Sequence, residues 1–364
     1  MSERIWSKLT KRIIKAGIIL PFSDTLNEIL KTLINEEQAK FLLVFNKPSL
    51  TIDQIRHKTD LDDKALDEML NVLMDIGIID TIPKPNTDII GYNLAPFAPE
   101  LFERTLMRGG KSEKEKKLGE LYEKYYGELT QIVQNNYEVV IQELKTSSPW
   151  VRVVPVEQEV KIQQQIVLPY EEISKIVENK DMIGVGYCYC RQGKDLIGDP
   201  CKLDAPRETC IFFNDIAQFL LDHDFIRQIS KDEALKILLE AEDHGLVHNT
   251  FFYPDDPKYS ENAICSCCKC CCAILSLYHS GLLAMNSMTS YLAKSNEKNC
   301  VGCGTCVEIC QMEAIYLVDG KARVNEDRCI GCGLCAHNCP EDSMKLIRTG
   351  LRNVFIPPPK LINV

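Results

Sequence analysis

Eight cysteines near the C-terminus fall into two runs of one spacing, and no other feature restricts the fold of this chain as much. The first run is Cys300, Cys303, Cys306 and Cys310; the second is Cys329, Cys332, Cys335 and Cys339. Each reads C-x2-C-x2-C-x3-C, the spacing that wraps a 4Fe–4S cube. A cube needs thiolates at four tetrahedral corners, and the short x2 steps let one loop supply three of them. Glycines between the first three cysteines of each run suit a backbone that turns sharply close to inorganic sulfide. A pair of structural zinc knots is the bland alternative. Zinc sites place two CxxC halves far apart, whereas here each run packs four cysteines into eleven residues. The spacing therefore predicts two 4Fe–4S clusters.

The segment at about 292–350 resembles the bacterial two-cluster ferredoxins. In that family the fourth cysteine of each run serves the other cluster. The resemblance implies one cluster on Cys300, Cys303, Cys306 and Cys339, and a second on Cys329, Cys332, Cys335 and Cys310. Between the runs, Ala314–Val324 reads as two short strands around an Asp319-Gly320 hairpin turn, where the family has its hairpin. One departure stands out. The family usually has proline after the fourth cysteine; Pro340 fills that place in the second run, but Gln311 stands in the first. Proline there shapes a turn and ligates nothing.

Composition sets further bounds. A chain of 364 residues, 45% hydrophobic, can bury several cores. We expect an α+β multidomain protein. It would have a helical, winged-helix-like domain over 1–149, a cysteine-rich α+β domain over 150–290, a dicluster ferredoxin domain over 291–350, and a tail over 351–364. The formal net charge is −10, and thiolate-ligated clusters would add to it. Such a molecule should favour a redox partner with a basic docking surface and be repelled by nucleic acid. Eighteen cysteines in a long chain spaced as cluster ligands do not suggest a disulfide scaffold. Ala16–Phe22 is too short for a membrane span, is interrupted by Pro21, and lacks a small-residue cleavage site. A reducing, anaerobic cytoplasm is the expected setting.

Residues 24–107 read as helices followed by a small hairpin. Glu36–Phe45 is a short helix, Thr51 caps a second, and Asp62–Gly77 is a third, with Leu66, Leu70, Leu73 and Met74 at helical spacing. Ile78–Ile82 and Ile89–Leu94 then flank a turn over 83–88. This order is similar to a winged helix. Its basic residues Arg56, Lys58 and Lys64, with Lys84 in the wing, are outnumbered by acids between Asp53 and Asp80, so contact with protein is expected in preference to DNA. Over 111–147, apolar residues from Leu118 to Leu144 form a stripe on a long helix. Packing within one protomer is preferred to a homodimer seam, because the heptad phase is imperfect.

The middle segment holds ten cysteines: Cys188, Cys190, Cys201 and Cys210, then Cys265, Cys267, Cys268, Cys270, Cys271 and Cys272. Six in eight residues are hard to explain as core packing. Three readings stay open: one or more further iron–sulfur clusters drawing on both groups, a zinc site built on Cys190, Cys201, Cys210 and one later thiolate, or redox-active thiols. Cys188 and Cys190 are expected to end a strand with both thiols on one face. Cys201 and Cys210 are expected in loops before a helix, and the later run is expected to open a helix. Arg191, Lys202, Arg207 and Lys269 could offset thiolate charge. His223, His244, His248 and His279 surround the block but are read as helix-end or core residues. The block is similar to cysteine-rich segments beside dicluster ferredoxin domains in large iron–sulfur proteins of anaerobes, which implies a redox module and no particular reaction. Gly184-Val-Gly186 lacks the rest of a dinucleotide fingerprint, and neither a P-loop nor a nucleophile elbow occurs. The function this favours is electron transfer, as a ferredoxin-like carrier or an adaptor subunit of an oxidoreductase. The alternatives are a reductase with its own substrate site in the middle segment and a redox-sensing regulator.

Overall fold

The computed structural model describes residues 2–16, 21–47, 49–83, 89–149, 151–162, 168–251 and 261–361. Lys84 and the rest of the turn at 84–88, part of the apolar run at 16–22, and residues 163–167 of the strand expected over 161–167 lie outside them. Two compact units divide the chain. The first comprises 1–129, 192–199 and 219–226; the second comprises 130–191, 200–218 and 227–364.

The first unit is mainly helical. Helices Ser2–Ala16, Asp24–Leu33, Glu36–Leu42, Ile52–Arg56 and Asp63–Ile76 accompany a three-stranded antiparallel sheet. Its order is Ser49–Leu50, Ile90–Leu94, Ile79–Pro83, with Ser49 opposite Asn93 and Ile79 opposite Leu94. Local sequence sets the helix ends. Thr51 and Gln54 form a reciprocal capping box, Asp62 caps the next helix, and Gly77 ends it in the left-handed conformation at φ 83°. Leu66, Leu70, Leu73 and Met74 all face inward. Burying each such side chain contributes about 1.5–3 kcal/mol.

The long helix does not run through. It breaks at Asn136 (φ −120°, ψ 26°) into Glu113–Asn135 and Tyr137–Thr146. Leu118, Tyr122, Tyr125 and Leu129 are buried, but the expected stripe does not continue: Val139 is 65% exposed. No helix among the described residues is long and apolar enough to cross a membrane.

An eight-stranded sheet organises the second unit. Its order is Met344–Ile356, Met285–Ser295, Val151–Val154, Val247–Phe251, Ala263–Cys267, Glu208–Phe213, Ile183–Tyr187, Arg227–Gln228. Met285–Ser295 pairs antiparallel with Met344–Ile356 across a bulge between Thr289 and Tyr291, and parallel with Val151–Val154. Both cysteine runs therefore lie between two neighbouring strands of this sheet. Within that segment the expected hairpin forms, Ile315–Val318 against Lys321–Val324, around Asp319 (φ 50°) and Gly320 (φ 70°).

Several local expectations in the middle segment are corrected. Cys188 follows its strand and Cys190 lies in the first turn of helix Tyr189–Leu196, so they are not alternate strand residues. Cys210 belongs to strand Glu208–Phe213, and the later run begins in strand Ala263–Cys267 and turns before helix Leu275–His279. Lys161 and Ile162 end the helix Glu157–Ile162 instead of starting a strand. For Cys210 and the start of the later run, pairing with strands remote in sequence overrode a locally plausible reading.

Candidate metal centre

Cys300, Cys303, Cys306 and Cys339 line one cavity, together with Gly302, Gly304, Pro340 and Ser343. The two runs are offset by 29 residues (Cys300 to Cys329), and the first and fourth sulfur of each accepts from a backbone N–H. The Ala322 N–H donates to Cys300 Sγ at 3.3 Å, and the Ala293 N–H to Cys329 Sγ at 3.5 Å. Likewise the Ala314 N–H donates to Cys310 Sγ at 3.2 Å and the Ser343 N–H to Cys339 Sγ at 3.3 Å. Such donors stabilise thiolate and suit a cluster. The backbone is equally constrained. A Cβ on Gly302 would lie 2.3 Å from the Gly320 carbonyl oxygen, and one on Gly331 would lie 2.3 Å from that of Tyr291.

The environments of the two runs differ. Cys303 is exposed, whereas its counterpart Cys332 is only partly exposed. The Ala322 N–H holds the Cys300 thiol below its ordinary range. Burial instead pushes Cys332 up to about 12 and also raises Cys335. Charge repulsion from Cys310 and Cys329 adds to both.

The ten middle cysteines divide into two groups. Cys201, Cys268, Cys270 and Cys271 bring their sulfurs within 4.8 Å of one another. The sulfurs lie 3.9 Å (Cys201–Cys268), 3.8 Å (Cys201–Cys270), 3.5 Å (Cys268–Cys270) and 3.6 Å (Cys270–Cys271) apart. A tetrahedral ion with metal–sulfur bonds of about 2.3 Å requires sulfur–sulfur edges of about 3.8 Å. This quartet fits a single tetrahedral ion and is too contracted to surround a cube. It is not the quartet that spacing suggested, since Cys190 and Cys210 lie elsewhere. They join Cys188, Cys265, Cys267 and Cys272 around a second cavity, whose wall also includes Cys268 of the quartet.

Two residues tie these features together. Arg191 is 1% exposed. It donates to the Ser266 carbonyl at 3.1 Å and to the Thr209 hydroxyl, and its Nε has no hydrogen-bond partner among the described residues. Burial opposes its charge, but Cys188, Cys268, Cys210 and Cys201 outweigh that and hold its pKa above the ordinary value. Lys269, by contrast, pairs with Glu313 at 2.9 Å.

Gln311 is 3% exposed. Its Oε1 accepts from the Lys269 N–H at 2.8 Å, and its Nε2 donates to the Gly245 carbonyl at 3.0 Å. The residue that replaces the family's proline thus joins Cys310 to the cysteine-rich turn. Sequence reasoning noticed the substitution but could not see its partners, which lie 42 and 66 residues away.

The four histidines take structural roles. His223 bonds Asp75 at 2.7 Å, His244 the Glu240 carbonyl, and His279 the Gln311 carbonyl at 2.8 Å. Buried His248 lies between Ser266 and Glu242.

Comparison with known families agrees with the geometry of the C-terminal segment. A family model described as a 4Fe-4S dicluster domain matches residues 293–346. No curated protein matches the chain. No solved structure matches it either. The chain thus carries a 4Fe–4S dicluster domain near its C-terminus, and its composition and cysteine content point to iron–sulfur electron transfer.

Proposed function

We propose that this protein is a low-potential electron carrier or adaptor subunit that passes single electrons to or from a partner oxidoreductase. Cys300, Cys303, Cys306 and Cys339 would hold one 4Fe–4S cluster, and Cys329, Cys332, Cys335 and Cys310 the other. Each cluster, when bound, accepts and releases one electron. The residues do the rest: N–H groups of Ala322, Ala293, Ala314 and Ser343 steady the sulfurs, and surrounding apolar side chains limit water. The observation that carries the reading is the cavity shared by three cysteines of one run and the fourth of the other. With Cys303 exposed at its rim, that cavity offers a short exit for an electron.

In this reading the segment over 291–350 is the redox domain and 150–290 extends the relay through its own sulfur centres. The winged-helix-like region within 1–149 serves protein contact. Arg56 is paired with Asp53 and Asp63, and Lys64 faces Glu68, which leaves little positive charge for phosphates. The partner carries a basic docking surface, and the setting is an anaerobic cytoplasm. The test is anaerobic reduction of the full chain, followed by EPR and by mixing with a one-electron acceptor dye. Reversible reduction of two clusters with rapid transfer to the dye supports the carrier. Absence of reversible reduction, or EPR spectra that change on adding small-molecule substrates, overturns it.

A further inference from the structure

The cavity lined by Cys188, Cys190, Cys210, Cys265, Cys267 and Cys272 adjoins the quartet through Cys268, which lies in its wall, but it is built differently. Its six cysteines come from several elements: Cys210 from strand Glu208–Phe213, Cys265 and Cys267 from strand Ala263–Cys267, Cys190 from helix Tyr189–Leu196, and Cys188 and Cys272 from the segments between. Yet among the described residues no three of these six come within 4.8 Å of one another, as the quartet does. They surround a space and do not converge on a point. Single ions need convergence, because metal–sulfur bonds of about 2.3 Å pull the ligands together. A polynuclear core pushes its thiolates apart, and the dicluster cysteines likewise form no contracted set among the described residues.

Backbone donors support the comparison. The Ala273 N–H donates to Cys190 Sγ at 3.2 Å and the Ile274 N–H to Cys272 Sγ at 3.3 Å, as in the dicluster runs. Charge gives an independent argument. Arg191, buried along the wall of this cavity, has among the described residues only neutral hydrogen-bond partners, a carbonyl and a hydroxyl. A buried cation needs a countercharge, or its desolvation costs several kcal/mol. The nearest candidates are the sulfurs themselves.

We infer that the six-cysteine cavity binds a third iron–sulfur cluster, separate from a single-ion site on Cys201, Cys268, Cys270 and Cys271. Arg191 lies among sulfurs of both groups and serves as the shared countercharge. This goes beyond the carrier reading and does not depend on it: metal content tests the inference, and electron transfer tests the other.

The experiment starts with anaerobic full-length protein, reconstituted with ferrous iron and sulfide, with iron, sulfide and zinc counted. Two dicluster cubes account for about eight irons, and a third cube raises the count to about twelve, with one further ion in the quartet. Cys190→Ser with Cys272→Ser should remove about four irons and their sulfide while keeping the dicluster EPR signals. Cys270→Ser should remove one ion and no sulfide. Alkylation of the wild-type protein before and after iron is removed with a chelator supplies a readout that needs no variant, since a bound cube protects the four thiols that ligate it and its removal exposes them. A count near eight irons, or alkylation of these thiols that is the same before and after chelation, overturns the inference. So does loss of the same metal from both sets of variants, which would mean one shared centre.

Discussion

Gln311 offers the sharpest test of how the dicluster segment is fastened within its unit. Replacing it with alanine removes a side chain that is 3% exposed and leaves two groups without their partners, the Lys269 N–H and the Gly245 carbonyl. Each buried unpaired group costs about 1–3 kcal/mol, so Gln311→Ala should destabilise the unit by roughly 2–5 kcal/mol. For a unit of this size, about 1 kcal/mol shifts Tm by about 2–4 °C, so the melting midpoint should fall by several degrees at least. Amide exchange at Lys269 should accelerate together with it. Gln311→Glu is more discriminating. A carboxylate can still accept from the Lys269 N–H, but its second oxygen would face the carbonyls of Gly245 and Ile309, to which Nε2 now donates. Only the protonated acid can donate there, so the folded state raises the pKa of that glutamate above its unfolded value of about 4.3. Stability is then fully present below that value and is lost as pH rises through the folded pKa, the reverse of an ion-paired glutamate. The assay is Tm against pH on anaerobic, cluster-loaded protein. A Gln311→Ala midpoint within a degree of wild type, or a Gln311→Glu variant that gains stability from pH 5 to 8, refutes the reasoning.

Other expectations follow from the same geometry. Gly302→Ala should abolish loading of the Cys300 cluster because its Cβ meets the Gly320 carbonyl at 2.3 Å, whereas Gly304→Ala meets nothing within 4 Å and costs only about 1–2 kcal/mol of backbone strain; iron counts on the two variants check this. Burial raises Cys332 and Cys335, so the folded apoprotein holds protons that an unfolded chain releases at about pH 8.5. Its stability is therefore present below that pH and falls above it, and apo and holo melting curves between pH 7 and 10 should diverge. The buried cavity of the second run should give the lower of the two dicluster potentials, because solvent near exposed Cys303 stabilises the more negative reduced state; redox titration followed by EPR, with Cys303→Ser to assign the signals, decides it.

Much of the C-terminal segment is legible because its features are local. Three of the four cysteines that line its cavity come from one loop, and the Asp319-Gly320 turn follows from two residues that tolerate positive φ. The N-terminal helices were legible for the same reason: Thr51, Asp62 and Gly77 act on their own helix ends. The break at Asn136 was not, because the apolar stripe continued across it in sequence while burial stopped near Leu129.

The middle cysteines show where local reading ends. Cys201 meets Cys268 and Cys270 across 67 and 69 residues, and Cys190 accepts from Ala273 across 83. No spacing rule covers such distances. What brings them together is the sheet, in which Glu208–Phe213 pairs with Ile183–Tyr187 on one side and Ala263–Cys267 on the other. That pairing carries Cys210 between Gly186, its partner in register, and the strand that ends at Cys267. Cys188 follows directly on the first strand and Cys268 on the last. Sulfur ligands that are remote in sequence thus become neighbours because strand ends are neighbours. The same sheet continues through Met285–Ser295 and Met344–Ile356, which hold both ends of the dicluster segment. One backbone framework therefore fixes every sulfur centre in the unit, and Gln311 and Arg191 bind those centres to each other where the sheet does not reach.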